Sequence, residues 1–400
     1  MKVAWFFGPF YSFLQEEIHE LAKHNIQLIC YSPEPIENQP SIENVTFVQV
    51  RLNRNVKELV CFIYCYCKLY IIDPLFRRQK STSQKRIAKF VSTFLIRNTR
   101  DGVKIIHTHF AAPEGYSMTL IKHFTKNVRI ISTLRGMDIG FNSKVNYGCR
   151  LDKVYEDTLL SSLRHVDVIT IGSKYMFKYI EAPSIKAVTK VIPNGFVQRM
   201  DLLTRASSEK QDEKVTITLI NVGNVTRLKN QSDLLHAVAK LQELGSSPKF
   251  RIVIIGKIRD DAYYREMVDY AQKTGLNVEF LGQRTRDQTL KAIQNADIFV
   301  HTAMHEAFGN VLLEAAYLST PIISRDVGFA YDSITDGING LIYSEGDITS
   351  LSNKIMYLAN SAELRETLAD NMQRYVQDQD YSMEKRANCF MRLYKEQLVN

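Results

Sequence analysis

The chain has no long apolar run. Nowhere in its 400 residues do about eighteen apolar residues follow one another, so no segment reads as a membrane-spanning helix. The opening MKVAWFFGPFYSF lacks a full apolar h-region and a small-residue cleavage site. It reads as a buried first strand running into a loop, not as a secretory leader. That loop, Gly8 to Ser12, holds no G-x-G-x-x-G, which removes the dinucleotide fingerprint. The six cysteines stand at 30, 61, 65, 67, 149 and 389 without a C-x-x-C pair. Reduced thiols in a cytoplasmic protein fit them better than a zinc site. His107 and His109 have no third ligand nearby, and the Asp378-x-Asp380 pair falls in a polar bend away from any strand end. Neither pair announces a metal. Basic residues are spread without an aromatic platform or a known module, which disfavours nucleic acid as partner.

What is present is ordinary globular material: 45% hydrophobic and 24% charged residues. At this length one core is too few, and two domains are expected. The formal net charge of +8 favours an anionic partner without choosing among nucleotide diphosphates, lipid and polymer. Lys2–Phe7, Ile26–Tyr31 and Val45–Val50 read as strands, with a helix over Glu16–Lys23, the start of a doubly wound sheet. Val56–Gln79 is an aromatic and basic helix too short to span. It belongs either in a core or in a headgroup plane. A helix over Lys85–Asn98 follows, then strands Val103–His107, Ile130–Thr133 and Val166–Ile171. The histidines His107 and His109 sit at a strand tip, where an imidazole is poised to titrate near neutral pH. Ser173 is expected to cap a helix, and the polar, aperiodic stretch 198–214 to be a linker. Beyond it, strands and helices alternate from Val215 to Leu358, the pattern of a second parallel sheet.

The most informative stretch runs from Asp297 to Arg325. A strand to Thr302 is followed by a polar bend, a helix over Val311–Leu318 ended by Pro321, and a strand from Ile322. Such a βαβ turn places its loop where open α/β sheets bind ligands. Gly309 lets a ligand approach the main chain. The N–H groups of Phe308, Gly309, Asn310 and Val311 open a helix and offer a phosphate seat. Glu314, within about a turn, is placed to accept from a diol. Glu306 stands at the strand tip. A solvated Glu306 and a Glu314 paired with a surface cation would be the plain alternative. In the loop Gly223–Asn230, Lys229 would be an unfavourable cation at a helix N-terminus unless it neutralises a bound pyrophosphate.

These residues resemble the E-x7-E signature of the family 4 retaining glycosyltransferases of the GT-B fold. That signature reads E-G-F-G-x-x-x-x-E-A and then G-T-P. Here it is Glu306, Ala307, Phe308, Gly309, then Glu314, Ala315, and Ser319, Thr320, Pro321. Other pieces fall in order along the chain. Tyr11, Ser12, Phe13, Leu14, Glu17 and Ile18 partly match an S-E-T-F-I-x-x-E-I branch. His107-x-His109 matches H-x-H, and Asn194-Gly195 closes a P-N-G. In place of T-x-H-G-x-D stands Arg135 with Gly136 and Asp138. In place of G-R-L-x-x-x-K-G, Asn224 replaces the Arg, Asn230 replaces the Gly and Lys229 is kept, with Arg227 available to compensate.

The resemblance implies an α/β GT-B architecture, two doubly wound Rossmann-like domains facing a central cleft. An acceptor-side domain over 1–197, a linker over 198–214 and a nucleotide-sugar domain over 215–375 are expected. A last helix within 376–400 would cross back to the first domain. The implied activity moves a sugar with retention from a UDP- or GDP-sugar to a hydroxyl of a glycan or lipid-linked glycan. Surface polysaccharide assembly at the cytoplasmic face would be its setting, with peripheral contact to anionic membrane. Glu306, His109 and Arg135 are the implied catalytic residues. Asn224, Arg227, Lys229, Gly282, Gln283, the Phe308–Val311 main chain and Glu314 would hold the donor, Gly282 and Gln283 beside the base. No cofactor and no divalent metal are expected, since Lys229 and the helix N–H groups meet the leaving charge. A nucleotide-sugar epimerase and a non-catalytic binder are the rival readings.

Overall fold

The computed structural model describes residues 1–7, 12–33, 41–51, 55–140, 142–145, 147–180, 184–197, 216–245 and 248–399. The 198–214 linker, Tyr11 and all of the first loop before Ser12 lie outside them. The chain divides into two compact units. One comprises Met1–Gly172, Met176–Gly195 and Ser382–Asn400, the other Ser173–Tyr175 and Phe196–Tyr381.

The first unit is built on strands β1 (Lys2–Phe6), β2 (Gln27–Ser32), β3 (Val45–Gln49), β4 (Ile105–His109), β5 (Arg129–Thr133), β6 (Val168–Ile171) and β7 (Val188–Val191). They lie in the order β3-β2-β1-β4-β5-β6-β7, all parallel. Its helices are α1 (Ser12–Ala22), α2 (Val56–Ile72), α3 (Pro74–Arg78), α4 (Ser81–Asp101), the short α5 (Tyr116–Thr119) and α6 (Lys153–His165). The inner strands β1, β2, β4, β5 and β6 are buried on both faces, as a parallel sheet covered by helices requires, while the edge strands β3 and β7 are partly exposed.

The second unit repeats the plan with β8 (Thr216–Val222), β9 (Lys249–Ile255), β10 (Val278–Gly282), β11 (Ile298–His301), β12 (Ile322–Arg325) and β13 (Leu341–Tyr343). Their order is β10-β9-β8-β11-β12-β13, again parallel. The helices are α7 (Ser232–Glu243), α8 (Asp261–Thr274), α9 (Arg286–Gln294), α10 (Asn310–Tyr317), α11 (Phe329–Ser333), α12 (Ile348–Ala359) and α13 (Ala362–Gln379). A final helix, α14 (Met383–Val399), belongs to the first unit. Two core clusters, one on each side of the sheet, are centred on Leu219, Ile254 and Leu351 and on Phe299, Leu312 and Met372.

Three expectations change. The long Val56–Gln79 helix breaks at Asp73, whose carboxylate accepts from the Phe76 N–H while Pro74 takes the first turn of α3. The fourth strand lies two residues later than read, so His107 is inside it and only His109 is at its tip. Ser173 caps no α-helix: its hydroxyl donates to the carbonyl of Ala307 at 2.7 Å, and a 3-10 segment over Lys174–Tyr179 follows.

Candidate functional site

In the second unit the strand order reverses between β8 and β11, and the loops leaving those two strands flank the place where such sheets take ligands. Side chains tie the two loops together. The Asn221 amide donates to Val300 O at 2.7 Å and to Thr302 Oγ1 at 3.2 Å. Thr302 Oγ1 donates in turn to Lys229 O at 2.7 Å, and Met304 N–H reaches Leu228 O at 2.8 Å. The loop can turn back into α7 because Asn230 takes a left-handed φ of 50°, a conformation Asn tolerates better than other side chains. This is the position at which the sequence pattern offered a glycine.

Held this way, the Lys229 ammonium forms an ion pair with Glu306. Glu306 also accepts from His301 Nε2 at 3.3 Å, and His301 Nδ1 meets Ser324 Oγ at 3.3 Å. Burial alone would raise the Glu306 pKa, but Lys229 and His301 outweigh it and hold the carboxyl well below the ordinary carboxylate range. Burial pushes the His301 pKa down against the pull of Glu306. A neutral imidazole beside a carboxylate carries its proton on Nε2, which leaves Nδ1 an acceptor facing the Ser324 hydroxyl, whose proton also has the nearer Arg325 carbonyl at 2.8 Å.

The α10 end adjoins this group. Gly309, its N-cap, has φ 88° and no side-chain cap is made there. Phe308 turns its ring into the core against Phe329 and Tyr381, so only its main chain is left to meet a ligand. The neighbouring loop comes so close that a Cβ on Gly328, itself at φ 54°, would lie 2.5 Å from Phe308 O and 3.0 Å from Glu306 Cβ. Val311 is half-buried and Asn310 exposed. Glu314 is 3.6 Å from the Arg286 guanidinium, which lies over the Phe196 ring. Gly282 closes β10 with φ 65°, and Gln283 beside it is exposed. Asn224 is exposed, its carbonyl accepting from Gln231. Arg227 is committed elsewhere, to Glu266 at 2.5 Å and Asp260 at 3.6 Å.

His109 and Arg135 lie in the first unit, within a buried cluster. Arg135 Nη2 donates to Glu17 Oε2 at 2.8 Å and to His109 Nδ1 at 2.7 Å. Glu17 Oε1 lies 3.2 Å from Arg386 on α14. Arg386 also donates to the carbonyls of Ile192 and Pro193. Two guanidinium groups therefore share one carboxylate. Burial raises the Glu17 pKa, but Arg386 and Arg135 overcome it and the net shift is downward. Neither histidine titrates near neutrality: burial drives His107 down to about 3 and His109 well below its usual value. Since Arg135 donates to Nδ1, His109 carries its proton on Nε2, a buried atom with no hydrogen-bond partner.

Sequence reading did not single out His301, Ser324, Arg386 or the pairing of Glu17. His301 ends a strand five residues before Glu306, a signal that was available. Glu17 and Arg386 are 369 residues apart, and no local pattern joins them.

Comparison with known proteins bears on this geometry. Residues 204–375 match the family described as glycosyl transferases group 1. An uncharacterized glycosyltransferase of Methanocaldococcus jannaschii is 26% identical over 310 residues, covering 74% of this chain and 76% of that protein. The capsular polysaccharide biosynthesis glycosyltransferase CapM of Staphylococcus aureus is 28% identical over 273 residues, 66% of this chain and 70% of its own. Anabaena HepE, solved in complex with UDP, shares the fold with a TM-score of 0.72 at 17% identity, over 99% of this chain and 100% of that one. Residues 204–375 are thus similar to the group 1 glycosyl transferase domain. The chain's two parallel-sheet units are the Rossmann-like units of the GT-B fold. The matched segment contains Lys229, Glu306, the α10 end and Glu314, whereas His109 and Arg135 stand outside it.

Proposed function

We propose that the protein is a retaining glycosyltransferase using a nucleotide sugar, UDP-linked in the first instance, with a glycan or lipid-linked glycan hydroxyl as acceptor. The observation that carries the reading is the Lys229–Glu306 pair beside the uncapped start of α10, at the point where the strand order of the second sheet reverses. A leaving diphosphate needs positive charge where its own charge grows. Lys229 has three N–H donors, so it serves a phosphate oxygen while still touching Glu306. The main chain from Phe308 to Val311 supplies dipolar donors without a divalent metal. Glu314 takes the ribose hydroxyls, displacing its contact with Arg286, and Gly282 and Gln283 lie by the base. Glu306, fixed as a carboxylate, stands beside the donor sugar and stabilises positive charge at the anomeric carbon.

In the reaction the acceptor oxygen bonds to the anomeric carbon as the carbon–oxygen bond to the β-phosphate breaks. The acceptor proton passes to the departing phosphate on the same face, which preserves configuration. His109, which burial keeps neutral, removes no proton in this reading, and Arg135 holds its ring. The UDP in HepE, its UDP-glucose complex and the capsular role in the name of CapM support a UDP donor and a polysaccharide setting. The test is a panel of UDP- and GDP-sugars, read by thermal shift and by slow release of the free diphosphate. A cognate donor raises the melting temperature and is hydrolysed. A protein that no member stabilises and that releases no diphosphate is not this enzyme.

A further inference from the structure

Helix α2 turns an apolar stripe outward. Val56, Val60, Ile63, Tyr64, Tyr70 and Ile71 recur at helical intervals on one face, each between 47 and 74% exposed. The opposite face is fixed inward: Cys65 and Leu69 are buried, and Tyr66 Oη donates to Gln84 of α4 at 2.6 Å. The stripe is therefore not a core face that has lost its neighbour by rotation. Surface singletons need no explanation, but a stripe running the length of a 17-residue helix does.

Its rim is basic. Lys57 and Lys68 follow one edge at helical spacing. Arg77 of α3 donates to the carbonyls of Tyr70 and Ile71 at 3.0 and 2.9 Å, which places a guanidinium at the C-terminal end of the stripe. Residues 56–89 contain eight Lys and Arg against two Asp and Glu. One of those acids, Asp73, is used up in capping α3 and accepting from Tyr116. Tyr64 and Lys68 gather on the Phe124 ring, the ammonium 4.5 Å from its centroid. Long cationic stems and tyrosines suit a boundary with one apolar and one wet side.

A second copy of the chain docking on this stripe would bring two positive rims together; an anionic lipid surface neutralises them. No helix among the described residues is long and apolar enough to cross a membrane. At about 1.5 Å per residue α2 is suited to lying in the interface plane. We infer that α2 docks the protein on an anionic bilayer, with its apolar stripe inserted between headgroups and its rim on their phosphates.

This does not depend on the transferase reading, because the test reads binding alone. The full chain is floated with vesicles of phosphatidylcholine, with or without roughly 30% phosphatidylglycerol. It rises with the anionic vesicles only. The double variant Ile63→Asp/Ile71→Asp, at exposed positions, keeps its melting temperature and loses vesicle binding by about tenfold or more. Lys57→Glu/Lys80→Glu, the second an exposed cation between α3 and α4, weakens binding to the anionic vesicles as well. Failure of the parent chain to float with the anionic vesicles overturns the inference, and so does equal flotation with both vesicle types. Floating by the aspartate variant at the parent level does the same. A dimer in sedimentation equilibrium that the aspartates dissolve, with no vesicle binding, gives the stripe to a second copy instead.

Discussion

Two side chains from loops 77 residues apart, Lys229 and Glu306, meet at the end of the second sheet, and the ammonium helps hold Glu306 as a carboxylate. Removing either leaves a shaped site without one of its charges. Lys229→Ala and Glu306→Ala should each lower turnover on the order of a hundredfold, the usual effect of losing one transition-state stabiliser. Donor melting shifts separate the two, since the proposed contact of Lys229 with the diphosphate already forms in the ground state, so its loss should also weaken donor binding. Near-parental turnover by either variant would remove the site assignment. The Glu17 cluster makes a different prediction from charge count. Glu17→Gln leaves Arg135 and Arg386, both nearly inaccessible, without a counter-charge, which costs about 3–5 kcal/mol. Arg135→Met leaves Glu17 and Arg386 balanced and loses one hydrogen-bonded group, about 1–3 kcal/mol. Trp5 is the only tryptophan and packs on both His107 and His109, so its fluorescence in urea reports this unit. The order Glu17→Gln worse than Arg135→Met is the outcome expected, and the reverse order refutes the charge argument.

Elements that repeat a local rule were legible. Alternation of strands and helices gave both sheets, and Lys229 and Glu306, each read at the end of its own strand, meet as an ion pair with Gly309 beside them. Asn230 belongs to this class, because its φ of 50° is the physical reason a glycine-like residue was expected there. Asn230→Gly should be nearly neutral, while Asn230→Val forces a β-branched residue left-handed and costs about 1–3 kcal/mol. Equal melting temperatures for the two would show that the loop relaxes. What local rules missed is burial. The histidines of β4 were read as titrating residues because their tip position was visible and the packing of Phe390 and Tyr394 of α14 against His107 was not. His107 instead sits in a directed chain. Trp5 N–H donates to Tyr394 Oη, whose own proton goes to His107 Nδ1, while Nε2–H reaches Thr133. Its folded pKa, about 3, lies below the unfolded 6.5. The unfolded chain therefore binds the extra proton, and stability is lost as pH falls from 6.5 toward 3. The slope is about 1.4 kcal/mol per pH unit for each such histidine. Urea midpoints at pH 7.5, 6 and 5 should fall accordingly for the parent and more gently for His107→Gln.

At the scale of the molecule, the first unit is closed by the last segment of the chain. Trp5 and Tyr394 are 389 residues apart in sequence and 3.1 Å apart in space. The sequence shows that Met383, Ala387, Phe390 and Tyr394 share a helical face. It cannot show that the face is pressed against β1 and α1, because periodicity reveals a side and not its partner. Burial makes the consequence large. Met383, Phe390 and Leu393 are each under a tenth exposed, and at about 1.5–3 kcal/mol per buried side chain they supply roughly 5–9 kcal/mol. A typical domain has only about 5–15 kcal/mol in all. Loss of the helix would also strand the Trp5 N–H and the His107 Nδ1 and take Arg386 from Glu17, which keeps only Arg135. A chain ending at Tyr381 is therefore expected to leave the first unit unfolded while the second, contiguous from Phe196 to Tyr381 apart from Ser173–Tyr175, keeps its sheet. The readout is a red-shifted, exposed Trp5 emission alongside a surviving melting transition in circular dichroism. Supplying 382–400 in trans as a peptide should restore the blue-shifted emission. A truncated chain whose Trp5 stays blue-shifted without the peptide would show that α14 is an ornament on a unit that closes by itself.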